Sequence, residues 1–217
     1  MNKYWEATKV WSRRAWKFLW DDDSIWSWIA NVAVAFLVIR FIVYPILGLV
    51  LGTGLPIVAV VSESMEHGVH SGTLCGQQLQ EIKESFDTYW DICGKWYEDK
   101  GISQEQFKAF SFHNGFDTGD VIILWRARPD NLEVGDILVF KSDRPQPIIH
   151  RIVKITQEGG KYYYHTKGDH NSNSINDEVK ISEDRILGKG IVRIPYLGWV
   201  KILFVEAVRP FGINIQR

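Results

Sequence analysis

A chain of 217 residues suffices for one domain of ordinary size plus an anchor, and it is too short for two large domains. Its net charge of −1 leaves no electrostatic footprint for nucleic acid, which excludes DNA or RNA as an expected partner. With only two cysteines and no suitable histidine spacing, no structural zinc site and no other cofactor are expected.

The charge is unevenly placed. Lys3, Lys9, Arg13, Arg14 and Lys17 stand against Glu6 alone in the first twenty residues, and Trp5, Trp11, Trp16 and Trp20 are spaced for a helix lying among lipid headgroups. Residues 1–23 therefore read as a basic, aromatic cytoplasmic segment. From residue 24 to 61 the one charge is Arg40. A helix over 25–50 would be roughly 39 Å long, enough to cross a ~30 Å hydrocarbon core with tilt. A cleavable signal peptide competes with this reading, but its apolar run is usually ~7–15 residues and ends at a small-residue site that "GTGLPIVAVV" does not offer. A buried helix of a soluble core is the other alternative. The expectation adopted is a single uncleaved anchor over 24–52, with the N-terminus inside by the positive-inside tendency and residues 53–217 outside. Arg40 is awkward there, costing at least ~2.5 kcal/mol at mid-bilayer.

Beyond the anchor, residues 56–61 are β-branched and follow glycines, predicting a strand. Cys75 and Cys93 fit two readings, a pair of small buried hydrophobes or a disulfide closing a short loop. Leu79, Ile82, Phe86, Tyr89, Cys93 and Trp96 recur every three or four residues and predict an amphipathic helix over 77–100. Ser103 with Gln106 offers a capping box for a second helix to Phe110. Strands are predicted at 121–127, 136–141, 148–156, 161–165 and 186–194, with a hairpin turn at Glu158-Gly159-Gly160. The run from 194 to 211 holds Lys201, Glu206 and Arg209 and suits a membrane-lying or core-packed segment better than a second span. The predicted fold is a mainly β external domain with a helical insertion over about 70–118, plus an N-terminal transmembrane helix.

A serine nucleophile needs a base, an orienting group for that base, and donors for the oxyanion. Ser64 follows a strand at a sharp exit. His150 lies inside the apolar strand "PIIHRIV", where a lone histidine is more often a satisfied core residue. "TKGDHNSNSIND" sets Asp169 and Asp177 in a loop of turn formers. The absence of G-x-S-x-G and the chain order Ser, His, Asp argue against the α/β-hydrolase, chymotrypsin and subtilisin folds.

In order, "SESM", "GDILVF", "PIIHRIV", "TKGD" with a second aspartate, and "LGKGIVRIPYLGW" resemble the type I signal peptidases of the archaeal and endoplasmic-reticulum kind, over about two thirds of the chain. The resemblance implies a serine endopeptidase that removes signal peptides from exported pre-proteins in a cell membrane, in contact with the lipid bilayer and the secretion translocon. It assigns Ser64 as nucleophile and His150 as general base, the position where bacterial enzymes carry lysine. Asp177 matches the orienting carboxylate and Asp169 a supporting residue, but their spacing is about two residues longer than the family's, which leaves the choice between them open, with Asp184 a more distant fallback. Ser62 and Met65 fall at the oxyanion and substrate contacts. Glu63 replaces the family's glycine and would carry strain if φ were positive there. His67-Gly68 and His170 replace a proline and an asparagine. Two other functions remain open: an inactive anchored β-domain serving as a binding subunit, and a related protease dedicated to one precursor class.

Overall fold

The computed structural model describes residues 2–69, 72–80, 85–200 and 202–203. The chain divides into two compact units, Met1–Val50 and Leu51–Arg217.

In the first unit, α1 (Asn2–Trp20) turns through residues 21–24 into a long apolar helix, α2 (Ile25–Leu51). Ser24 caps α2 by accepting the Ser27 N–H, at 3.2 Å. The last carbonyls of α1 are satisfied by α2: Ser27 Oγ donates to Phe18 O and Asn31 Nδ2 to Leu19 O, each at 2.6 Å. Among the described residues α2 is the one helix long and apolar enough to cross a membrane. It widens into a π-turn at Ile39–Val43, immediately before Pro45. Proline lacks an N–H and its ring crowds the carbonyl four residues back, and the longer-range bond from Tyr44 N–H to Ile39 O relieves that crowding. Arg40 sits in this turn, exposed.

The second unit is built on a seven-stranded antiparallel sheet. Its strands are β1 (Ile57–Ala59), β4 (Val121–Trp125), β5 (Ile137–Phe140), β6 (Ile148–Glu158), β7 (Lys161–Lys167), β8 (Ile181–Ser182) and β9 (Ile186–Ile194), ordered β1-β4-β9-β5-β6-β7-β8. A separate two-stranded hairpin, β2 (Thr73–Leu74) with β3 (Gln77–Gln78), follows the first strand. The β6–β7 hairpin turns on Gly159 and Gly160, both at positive φ, which a two-residue turn requires. Every residue of β5 is buried. Ile137 and Val139 pack with Ile122, Leu124 and Met65 on one face, while Leu138 and Phe140 pack with Ile152 and Tyr164 on the other. The predicted mainly β domain with helices and an apolar N-terminal helix is the observed architecture.

The helical segment differs from its expected bounds. α3 runs Phe86–Glu98, starting at Ser85, whose hydroxyl accepts the Thr88 N–H. Gln77 and Gln78, predicted helical, belong instead to β3, because Cys75 and Gly76 take positive φ and reverse the chain into a hairpin. α4 (Gln104–Ala109) carries the expected capping box of Ser103 and Gln106. Tyr89, Trp90, Cys93 and Tyr97 of α3 pack with Phe107 of α4, Leu74 and Val153 as a second core, and Cys75 is disulfide-bonded to Cys93. The predicted C-terminal segment to residue 211 lies mostly outside the described residues. α5 (Asn176–Val179) is a single turn between β7 and β8.

Candidate active site

Ser64 sits in a 3₁₀ turn, Glu63–Met65, just past β1. Two buried neighbours pin that turn from beneath. Met65 is fully buried in the core, its carbonyl accepting from Phe116 N–H and its Sδ 3.4 Å from Asp169 N. Glu66 is buried too, its carboxylate accepting the Thr118 N–H at 2.7 Å. Glu63 is exposed and not among the residues at positive φ, so replacing the family's glycine strains nothing. Ser64 Oγ lies 3.2 Å from Ser62 Oγ.

His150 stands on β6 opposite Leu138 of β5, 6 % exposed. Its Nδ1 is hydrogen-bonded to Glu178 Oε1. The Glu178 carboxylate, fully buried, also accepts from Thr166 Oγ1 at 3.2 Å and from Ile175 N–H at 2.8 Å, so both oxygens are held by donors from three segments. A carboxylate on Nδ1 fixes the tautomer in which Nε2 carries the lone pair. A methyl built on Gly168 would lie 2.7 Å from His150 Nε2 and 2.7 Å from the Ser64 carbonyl oxygen, so the imidazole and the Ser64 backbone flank the same glycine. Both residues line a groove of about 620 Å³ together with Ser62. The start of β6 with residues 146–147 also lines it, as do Thr73 and Gly76 of the β2–β3 hairpin and residues 170–173.

The structure places the two aspartates elsewhere than the expected histidine contact. Asp169 is fully buried and faces Arg151, whose Nη2 donates to its Oδ2 at 2.6 Å and whose Nε donates to Oδ1 at 3.0 Å. Burial by itself would raise the Asp169 pKa, but the Arg151 charge and hydrogen bonds from His67 and Arg151 outweigh it and hold the carboxyl well below its ordinary range. His67 Nε2 donates to Oδ2 at 3.0 Å, its own pKa lowered chiefly by burial, and its ring stacks on Tyr89 at 3.5 Å. Tyr97 donates to Oδ1 at 3.0 Å. Arg151 donates further to the carbonyls of Gly135, Ser111 and Phe112, so this one ion pair joins β6, the helical segment and the 168–170 loop. Asp177 lies on the other side of the α5 turn, its carboxylate 3.5 Å from Asp143 N, and Asp184 is exposed. Met65, expected beside substrate, is in the core. The residue missed is Glu178, adjacent in sequence to Asp177, and "NDE" was the available signal.

The 168–170 loop ties these parts together. His170 N–H donates to Ser64 O at 3.0 Å, and His170 O accepts from Cys75 N–H at 2.9 Å. Lys167, its pKa pushed down to about 8 by burial, donates to the Gly168 and Asp169 carbonyls and lies against the Trp96 and Tyr97 rings. The arrangement offers a hydroxyl, an imidazole with its free nitrogen in a groove, and a carboxylate behind it. Those are the parts of an acyl-transfer site.

No protein-family model matches the chain. Among curated proteins, the signal peptidase complex catalytic subunit SEC11 of Colletotrichum graminicola is 34 % identical over 105 residues, covering 44 % of this chain and 60 % of that protein. The SEC11C subunit of Homo sapiens is 32 % identical over 102 residues, covering 43 % and 52 %. SEC11 of Pyricularia oryzae is 32 % identical over 103 residues, covering 44 % and 60 %. The matches thus span between half and two thirds of the relatives' length. Over a little under half of its own length, this chain is similar to the catalytic subunit of the signal peptidase complex.

Proposed function

We propose that this protein is a membrane-anchored serine endopeptidase that removes N-terminal signal peptides from exported pre-proteins. The observation that carries the reading is the buried His150–Glu178 pair, whose imidazole lines the same groove as Ser64. In the proposed reaction Ser64 Oγ turns from Ser62 toward His150 Nε2, loses its proton to that nitrogen and attacks the scissile carbonyl. Glu178 holds the ring and stabilises the imidazolium that forms. The oxyanion is met by the Ser64 backbone N–H and by Ser62 Oγ, which already lies 3.2 Å from the nucleophile. His150 then passes its proton to the leaving amine as the C–N bond breaks, and water repeats the cycle on the acyl-enzyme.

α2 serves the same purpose from the membrane side. A substrate tethered in the same bilayer meets the site at raised effective concentration. The basic first segment favours a cytoplasmic N-terminus and an extracytoplasmic domain, and the Cys75–Cys93 disulfide suits an oxidising compartment. One observation favours the narrower reading of a protease for a single precursor class: the β2–β3 hairpin adds Thr73 and Gly76 to the groove wall. The test is to present membranes holding the protein with several unrelated pre-proteins and to identify the new N-termini by mass spectrometry. Cleavage of all of them after a small residue supports the general enzyme. Cleavage of one supports the dedicated enzyme, and cleavage of none overturns both.

A further inference from the structure

Ser64 and His150 line one groove, and His150 Nε2 gives that groove a direction. The proposed reaction ends with that nitrogen protonating the leaving amine, so residues clustered around it face the part of the substrate that follows the scissile bond. The cluster is the turn at 168–171. A methyl on Gly168 would sit 2.7 Å from His150 Nε2 and 2.6 Å from Asn171 Nδ2. Both nitrogens therefore pack over Gly168 on the same side, which places the Asn171 carboxamide close beside His150 Nε2. Asn171 is held there from its own backbone, its N–H donating to Gly168 O at 2.9 Å, and Trp96 donates to the next-but-one residue, Asn173, at 3.2 Å. The Asn171 carboxamide lines the groove and takes no hydrogen bond from the described residues.

The geometry points to Asn171 as a substrate-binding residue that hydrogen-bonds the peptide backbone on the leaving-group side of the scissile bond. A carboxamide carries a donor and an acceptor on one planar group, which matches the C=O and N–H of an extended backbone without regard to side chains. Thr73, Gly76, Ser172 and Asn173, which line the same groove as Asn171, are uncharged, so the ligand class is an extended polypeptide read by its main chain. Holding the leaving segment keeps its amine beside His150 Nε2 at the moment the proton is delivered. This inference rests on the peptidase reading above.

The experiment compares two substrates with the same acyl-side sequence, cleaved by the full chain in membranes. One continues for several residues past the scissile bond, and the other ends there in a small aromatic amide. Asn171→Ala is expected to lower kcat/KM about 5- to 20-fold on the continued peptide, the loss of one or two neutral hydrogen bonds, and to leave the aromatic amide unchanged. Asn171→Asp, of the same shape, keeps the acceptor and loses the donor, and should fall between. Equal loss on both substrates, or no loss on the continued one, overturns the inference. Ser64→Ala run alongside separates the failures: if it is inactive on both substrates while Asn171 variants cleave normally, the peptidase reading stands and the Asn171 assignment falls. If Ser64→Ala cleaves normally, both fall.

Discussion

The Nδ1 of His150 is hydrogen-bonded to Glu178 Oε1 with both side chains buried, and Glu178 receives two further donors, Thr166 Oγ1 and Ile175 N–H. Such a carboxylate fixes ring orientation and tautomer together. Glu178→Gln should therefore leave the fold intact and lower kcat by roughly 10³-fold or more, as expected when the tautomer is lost. Asp177→Asn should keep activity within about twofold. Parallel kinetics with a thermal melt on each variant checks this, and a larger loss at Asp177 than at Glu178 would refute the assignment.

Arg151 and Asp169 form a fully buried pair. Removing either leaves the other charged and unpaired, so Arg151→Met or Asp169→Asn should each cost about 3–5 kcal/mol, and the double variant less than the sum. Denaturant titration measures this. The Asp169 carboxyl titrates below its unfolded value of 3.8, so its contribution is present above that pH and is lost as pH falls through the depressed native value. Lys167 acts in the same pH sense, in a higher window. Its native pKa of about 8 lies under the unfolded 10.5, so stability should rise with pH between those values as the unfolded chain binds the extra proton.

Cys75 and Cys93 are 18 residues apart, and their bond holds the β2–β3 hairpin against α3. Replacing both by serine should cost about 3 kcal/mol. Because Cys75 N–H also holds His170 O, and His170 N–H holds Ser64 O, kcat should fall at temperatures well below the melt. A melt combined with kinetics at low temperature separates the two effects.

Gly168 must have no side chain. A methyl there would meet Asn171 Nδ2, His150 Nε2 and the Ser64 carbonyl within 2.7 Å. Gly168→Ala should abolish cleavage, with loss of at least about 10²-fold, while far-ultraviolet circular dichroism stays that of the wild type.

The apolar run that became α2, the alternating strands and the capping box of α4 were legible because each depends on local chemistry: length, period, and one side chain satisfying its own helix end. The strand pattern around His150 gave only a buried histidine, and its proposed role came from the ordered motifs. Glu178 was not, because which of two adjacent acids turns inward is decided by the one-turn helix at Asn176–Val179, and Ile175 N–H and Thr166 select it from across the fold. Asp169 lies in a loop, but its partner Arg151 is 18 residues away on β6, a pairing no spacing reveals. The β2–β3 hairpin was hidden for a similar reason. Leu79 kept helical period with the residues after it, while the positive φ at Cys75 and Gly76 had already turned the chain.

Ser64 is proposed as the nucleophile of a signal-peptide-cleaving enzyme. The most direct measurement compares wild type and Ser64→Ala, at equal amounts in membranes, for conversion of a pre-protein to its mature form. Conversion should fall by at least about 10³-fold with the melt unchanged. Conversion at the wild-type rate by Ser64→Ala would contradict it.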